Sequence, residues 1–399
     1  IHTRYPFGKG NQLSDNNLNK ERLTVPGRDL SCYHSIDVLL HLKSVGEMME
    51  LDKKQLRELQ WSIMEHVSAC ALLPLMRIGD ELNLFWCLAE NGPCSTETFA
   101  KKADIDERYG REWLYAMCAA GYCCHDENFD NFYLSEEQKA VFAYEDSPAL
   151  MIGAYDILSG NVHGIDKMLE AFKTGHGVDY GDFHPCVFQG TARFFKPSYK
   201  SNLIQKWMPK IPLAEQILKD GGRLCDVGCG KGLSTLLLAS EYKTASFVGF
   251  DLHAPSIDEA NKAARETGFT DRLNYQVADA QSYTGKYDII TFFDCLHDMG
   301  DPLGAAQYAR NKLSPDGWVI LIEPSAGDNI SENMNTIGQM YYSFSTMGCV
   351  PTSKSQNVAM ALGAQAGANR LIEIMQQAGF SDCSVVFKNA TNMVIACKL

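Results

Sequence analysis

Four apolar runs in the C-terminal half of the chain each lead to an acid: Asp226, Asp251, Asp279 and Asp294. A fifth leads to Glu323, and a histidine, His297, follows shortly after Asp294. Carboxylates at successive strand ends accept hydrogen bonds from hydroxyls, amines and ammonium groups, and histidine is the side chain best matched to taking a proton near neutral pH. After the first acid comes Asp226-Val-Gly-Cys-Gly-Lys-Gly232, with glycines at alternate positions. An apolar run, then Gly228, Gly230 and Gly232, then a helical pattern from Leu233 predicts a strand, a tight turn and a helix start. Backbone N–H groups face a ligand at such a junction.

The residue types narrow the ligand. A dinucleotide loop requires a third glycine where this chain has Leu233, and an acid just ahead of the first glycine would repel a pyrophosphate. A phosphate loop requires Ser or Thr after its lysine, but Lys231 is followed by Gly232. An acid beside a glycine loop suits a cation. S-adenosylmethionine carries a sulfonium and an ammonium, so Asp226 is expected to anchor the ammonium, directly or through water. Asp251, with Leu252 beside it, is expected to take the ribose hydroxyls. Asp279, with Ala280, is placed to accept the adenine amino group, and Asp294 completes the cofactor side.

These residues need a sheet to carry them. Arg223–Asp226, Ala245–Asp251, Leu273–Val277, Tyr287–Phe293 and Trp318–Ile322 read as strands separated by helical stretches, which predicts parallel βαβ units. Ser256–Glu259 reads as a capping box, and Gly268 as the stop of that helix. A lead helix is expected over 204–218, a helix over 370–378, and a final antiparallel pair over 384–387 and 392–397. The segment 324–367 is too long for a simple connection, and its Met340, Tyr341, Tyr342, Phe344 and Met347 are candidates for lining an apolar pocket.

Upstream, residues 56–90 have helical apolar spacing ended by Gly92-Pro93. Two capped helices follow, Ser95–Ala103 and Asp106–Ala120, and then a hairpin turning at 127–131: a winged-helix order. Residues 1–55 read as an N-terminal arm or leader, with a helix over 36–49 and no apolar signal core. The divisions expected are the arm (1–55), a winged-helix domain (56–145), linker and pocket helices (146–200) and an α/β domain (201–399). His184, in the linker, is a candidate substrate contact.

The glycine stretch resembles the class I methyltransferase motif D-x-G-x-G-x-G, and residues 200–399 as a whole resemble that family. Cys295-Leu-His-Asp298 with Asp301 is similar to the C-H-D-W-S-D segment of plant caffeate- and acetylserotonin-type O-methyltransferases. Met299-Gly300 replaces Trp-Ser there. Glu323-Pro-Ser-Ala-Gly-Asp328 and Leu362-Gly-Ala-Gln-Ala-Gly367 resemble segments of bacterial winged-helix methyltransferases. The resemblance implies a Rossmann-like, seven-stranded, mostly parallel sheet behind a mainly helical winged-helix dimerisation module. It also implies a small-molecule acceptor, a homodimer, no metal, and His297 as general base. Glu323 is the acid best placed to orient that ring. A hydroxyl acceptor is expected, with thiol, amine and carbon acceptors open. A non-catalytic S-adenosylmethionine-sensing regulator is the alternative outside enzymes.

Composition sets the outer bounds. With 399 residues the chain is long enough for two domains. The net charge of −13 and a charge-balanced second helix argue against nucleic acid as a partner. No apolar run reaches membrane-spanning length. Fourteen cysteines with no CxxC pair read as free thiols in a reducing, cytoplasmic setting.

Overall fold

The computed structural model describes residues 51–399 and two short strands, Thr24–Val25 (β1) and Arg28–Asp29 (β2), which pair antiparallel. The helix expected over 36–49 lies outside the described residues. The chain divides into two compact units, 1–68 and 69–399. The first contains the β1–β2 pair and the opening turns of a long helix, Lys53–Glu81 (α1).

The single helix read over 56–90 is two. Asn83 adopts a left-handed backbone (φ 53°) between α1 and Leu84–Asn91 (α2), a conformation its short polar side chain tolerates. Ser95 then caps Thr96–Ala103 (α3) by accepting the Thr98 N–H at 3.3 Å. Asp106 caps Glu107–Ala119 (α4) through the Arg108 and Tyr109 N–H groups. Strands Cys124–His125 (β3) and Phe132–Tyr133 (β4) form the wing. Met76, Phe85, Leu88, Phe99, Trp113 and Phe132 make one buried core here, and the Trp113 indole N–H donates to the Leu75 carbonyl at 2.9 Å.

Helices Glu136–Phe142 (α5), Gly153–His163 (α6), Ile165–Thr174 (α7) and Pro185–Asn202 (α8) lead onward. A Cβ on Gly160 would lie 2.5 Å from Val187, and one on Gly190 would lie 2.5 Å from the Ile157 nitrogen, so only glycine lets α6 and α8 approach this closely. Arg193 of α8 reaches Asp80 and the buried Asp156, each at 2.7 Å. Stripping the cation from a buried carboxylate costs about 3–5 kcal/mol, so this pair fixes α8 to α6 and the end of α1.

The expected 204–218 helix breaks into a π turn (Leu203–Trp207), a 3₁₀ turn (Met208–Lys210) and Pro212–Lys219 (α9). Pro209 and Pro212 cannot donate the N–H groups that one continuous helix would use.

The α/β part is a seven-stranded sheet in the order β10-β11-β9-β8-β5-β6-β7. Its strands are Arg223–Val227 (β5), Ser246–Asp251 (β6), Leu273–Val277 (β7), Tyr287–Phe293 (β8), Leu313–Pro324 (β9), Asp382–Lys388 (β10) and Asn392–Lys398 (β11). β5 to β9 run parallel, and β10 and β11 close the edge antiparallel. Leu233–Glu241 (α10), Ala254–Thr267 (α11), Pro302–Lys312 (α12), Thr336–Phe344 (α13), Val350–Ser355 (α14) and Ala368–Gln377 (α15) accompany the sheet. The capping box expected at Ser256 does not form. Pro255 takes the first turn of α11, so Ser256 lies inside the helix and meets His253 Nδ1 at 2.8 Å. β9 begins five residues before the expected Trp318 and takes in Ser314–Gly317.

Strand order reverses between β5 and β8. In open α/β sheets the crevice beyond the carboxyl ends of such a pair is where ligands bind.

Candidate active site

The loop after β5 is pinned from below. The Gly228 and Cys229 N–H groups both donate to the Phe250 carbonyl, at 2.7 and 3.0 Å, and the Gly230 N–H donates to Asp251 Oδ2 at 2.8 Å. Gly230 has φ 52°, and a Cβ built on it would meet nothing within 4 Å. It faces a cavity of about 250 Å³ at the switch point of the sheet. Gly228 lines the same cavity. Gly232 does not: it starts α10, packed so that a Cβ would lie 2.5 Å from the Tyr275 ring.

Asp226, expected to anchor the ammonium directly or through water, does not line the cavity. It is fully buried, with Oδ2 accepting the Ser234 and Thr235 hydroxyls at 2.7 and 2.6 Å and Oδ1 accepting Thr291 at 3.1 Å. Burial pushes its carboxyl up to about 6, against the pull of the three hydroxyls. The residues opening α10 fold back over it, so it braces the loop and does not line the cavity.

Asp251 does reach the cavity. Burial raises its carboxyl, while the His253 and Gly230 N–H groups draw it back. Leu252, Asp279 and Ala280 line the same wall. Asp279 is exposed and accepts the Gln281 N–H at 2.7 Å. Tyr180, Phe188 and Phe195, from the stretch before and within α8, add aromatic surface to the lining.

Asp294, at the end of β8, carries the left-handed backbone (φ 48°) that marks local strain. The Tyr199 hydroxyl donates to it at 2.7 Å and the Asn392 amide at 3.2 Å. Burial, and then the charge of Glu323, pushes its carboxyl up to about 8. Neither Tyr199 nor Asn392 announces itself in the sequence, since α8 and β11 supply them from far along the chain.

His297 follows on the 3₁₀ turn Leu296–Asp298 and is 4% exposed. Glu323, fully buried on β9, accepts the Leu296 N–H at 3.0 Å and pairs through its other oxygen with His297 Nδ1. Asp298 Oδ1 lies 3.1 Å from Nε2. Burial works against charge on the ring, but Asp298 and Glu323 outweigh it and raise the imidazole well above its ordinary value. The expected His–Glu juxtaposition is therefore present. Asp298 also touches the ring and lines the cavity.

Other expectations move. His184 caps α8 by accepting the Cys186 N–H at 3.3 Å and stacks on His163. None of Met340, Tyr341, Tyr342, Phe344 and Met347 lines this cavity; Thr352 and Gln356 do so instead. Tyr341 borders a second cavity beside Lys388 and Gln365. Among the described residues, His297, Asp298 and Cys349 gather their donor atoms within 4.8 Å of one another.

This loop, crevice and wall are those of the Rossmann-like methyltransferase fold. Residues 199–384 match a family model described as a methyltransferase domain, and residues 68–143 match an Rv2258c-like winged HTH domain. The chain carries a winged-helix domain followed by a methyltransferase domain. A ubiquinone biosynthesis O-methyltransferase of Leptothrix cholodnii is 31% identical over 106 residues, 26% of this chain and 44% of the relative. The chain spans about half the length of the curated relatives it matches. The fold is similar to that of mitomycin 7-O-methyltransferase, at TM-score 0.63 and 12% identity, covering 87% of this chain and all of that one. Human N-acetylserotonin methyltransferase, solved in complex with S-adenosylmethionine, gives TM-score 0.61 and 14% identity over 87% of this chain and 98% of that one. Among the described residues no helix is long and apolar enough to cross a membrane.

Proposed function

We propose that the protein is an S-adenosylmethionine-dependent methyltransferase that acts on a hydroxyl of a small molecule, with His297 as general base. The observation that carries this reading is the buried Glu323–His297 pair, which Asp298 links to the cavity that Gly230, Asp251 and Asp279 line.

The residues fit the cofactor. Gly230 leaves open space where a side chain would stand, Asp251 keeps lone pairs for ribose hydroxyls, and Asp279 is free to meet an amino group. Asp226 contributes through the loop it braces. S-adenosylmethionine supplies an electrophilic methyl group. Glu323 fixes the ring so that Nδ1 is occupied and Nε2 is the proton-accepting atom. Glu323 stabilises the imidazolium that forms when the hydroxyl proton is taken. The acceptor hydroxyl must take the place of Asp298 next to Nε2.

Calorimetric titration with S-adenosylmethionine, and separately with NAD and NADP, tests the cofactor. Saturable binding of S-adenosylmethionine alone is expected, and binding of a nicotinamide cofactor alone would sink the reading. The non-catalytic regulator is less well supported. On α4, Arg108 pairs with Glu112 and Arg111 with Glu107, which leaves no surplus of positive charge for DNA.

The reading includes a homodimer. Leu158, Val162, Leu169 and Phe172 expose apolar surface on α6 and α7, which favours self-association. Light scattering on the eluting protein is expected to give twice the protomer mass; a monomer at micromolar concentration would remove the dimer.

A further inference from the structure

We propose that His297, Asp298 and Cys349 form a binding site for a zinc-like divalent cation, and that occupancy of this site shuts the base off. The donor atoms are an imidazole nitrogen, a carboxylate oxygen and a thiol sulfur, and all lie within 4.8 Å of one another. They come from two elements far apart in sequence, the 3₁₀ turn after β8 and the π turn Ser345–Cys349.

The donor set fits zinc. A mixed N, O and S shell suits a borderline-soft cation, whereas magnesium and calcium select oxygen. Zinc bonds of about 2.0 Å to nitrogen and about 2.3 Å to sulfur place tetrahedral donors about 3.3–3.8 Å apart. Nε2 and Asp298 Oδ1 already stand at 3.1 Å, so a small inward shift of Cys349 and slight widening of that pair complete three positions. Asp298 Oδ1 is shut off from solvent and receives no well-directed hydrogen bond, which leaves it an available donor atom.

The surroundings of the ring matter as much. A metal-bound histidine usually donates its other N–H to a carboxylate, which fixes its orientation and strengthens the metal bond. Glu323 holds Nδ1 in just this way and leaves Nε2 for the cation. Asp298 borders the main cavity, so the fourth position opens toward it, and a water or acceptor oxygen completes the shell. Ligation displaces the thiol proton of Cys349 and the proton carried on Nε2 to solvent, and uses the Nε2 lone pair. That lone pair cannot bind the cation and accept a proton at once. The inhibition, though not the binding, rests on the function proposed above.

The test uses the full chain, freed of metal with a chelator and titrated with cobalt(II) as a spectroscopic stand-in for zinc. One equivalent is expected to give strong visible bands of tetrahedral cobalt and a near-ultraviolet sulfur-to-cobalt charge-transfer band, and zinc is expected to abolish both. Cys349→Ser and Cys349→Ala are both expected to lose the charge-transfer band. Glu323→Gln is expected to weaken zinc by about 10–100-fold. The site is overturned by weak octahedral bands alone, or by a charge-transfer band that persists in both Cys349 variants and so comes from another thiol. If the cobalt bands behave as expected while no acceptor is methylated, the metal site stands and the methyltransferase reading fails. If methyl transfer occurs and zinc leaves it unchanged, the inhibition is overturned.

Discussion

His297→Ala is expected to lower methyl transfer by about 10²–10⁴-fold while S-adenosylmethionine still binds. The ring is buried behind Asp298, which lines the cavity, and it belongs neither to the loop nor to the residues around Asp251 and Asp279, so its loss removes the proton acceptor and leaves the cofactor contacts in place. Glu323→Gln is expected to fall in the same range by a different route. The glutamine oxygen still accepts the Leu296 N–H, but its amide then points two donors at Nδ1, where a carboxylate stood. The ring must adopt the other tautomer or turn, and either change misdirects Nε2. Formation of S-adenosylhomocysteine in single turnovers, set beside calorimetric cofactor affinity, reads both variants. Unchanged turnover of His297→Ala with every acceptor tested would remove the base assignment. A matching collapse of cofactor affinity would make the pair structural.

The strands of the sheet were legible because each is a short apolar run closed by an acid or a glycine turn. β7 and β8 have the bounds the residue pattern predicts, and the edge pair β10–β11 agrees to within two residues at most positions. What the pattern conceals is where a side chain points once the chain has turned. Asp226 reads as a ligand anchor because an acid before a glycine loop ought to meet a cation. Only the fold shows Ser234, Thr235 and Thr291 converging on its two oxygens. Helix bounds fail for a related reason. Apolar spacing at 204–218 is helical, but two prolines remove the donors, and Asn83 breaks a helix whose spacing runs straight through it. Cys349 had no local signal at all: it becomes significant only because a π turn brings its thiol to a histidine on another strand end.

The glycine loop yields the second large effect, and it comes from comparing two glycines. Gly230→Val is expected to fold and yet lose S-adenosylmethionine by at least about 100-fold, or about 2.7 kcal/mol. A Cβ at Gly230 meets no protein atom within 4 Å, so the expected folding penalty is chiefly the left-handed backbone, on the order of 1–3 kcal/mol. The added methyls then occupy the space the cofactor is proposed to fill. Gly228→Ala is expected to behave oppositely. Its Cβ would stand 2.7 Å from the Cys295 sulfur at φ 74°, so the penalty falls first on folding, through the contact between the loop and the turn that carries His297. Thermal unfolding beside cofactor titration separates the two. If Gly230→Val binds S-adenosylmethionine like the parent, the open face of the loop is not the cofactor face. The wall formed by Asp251 and Asp279 would then need another ligand.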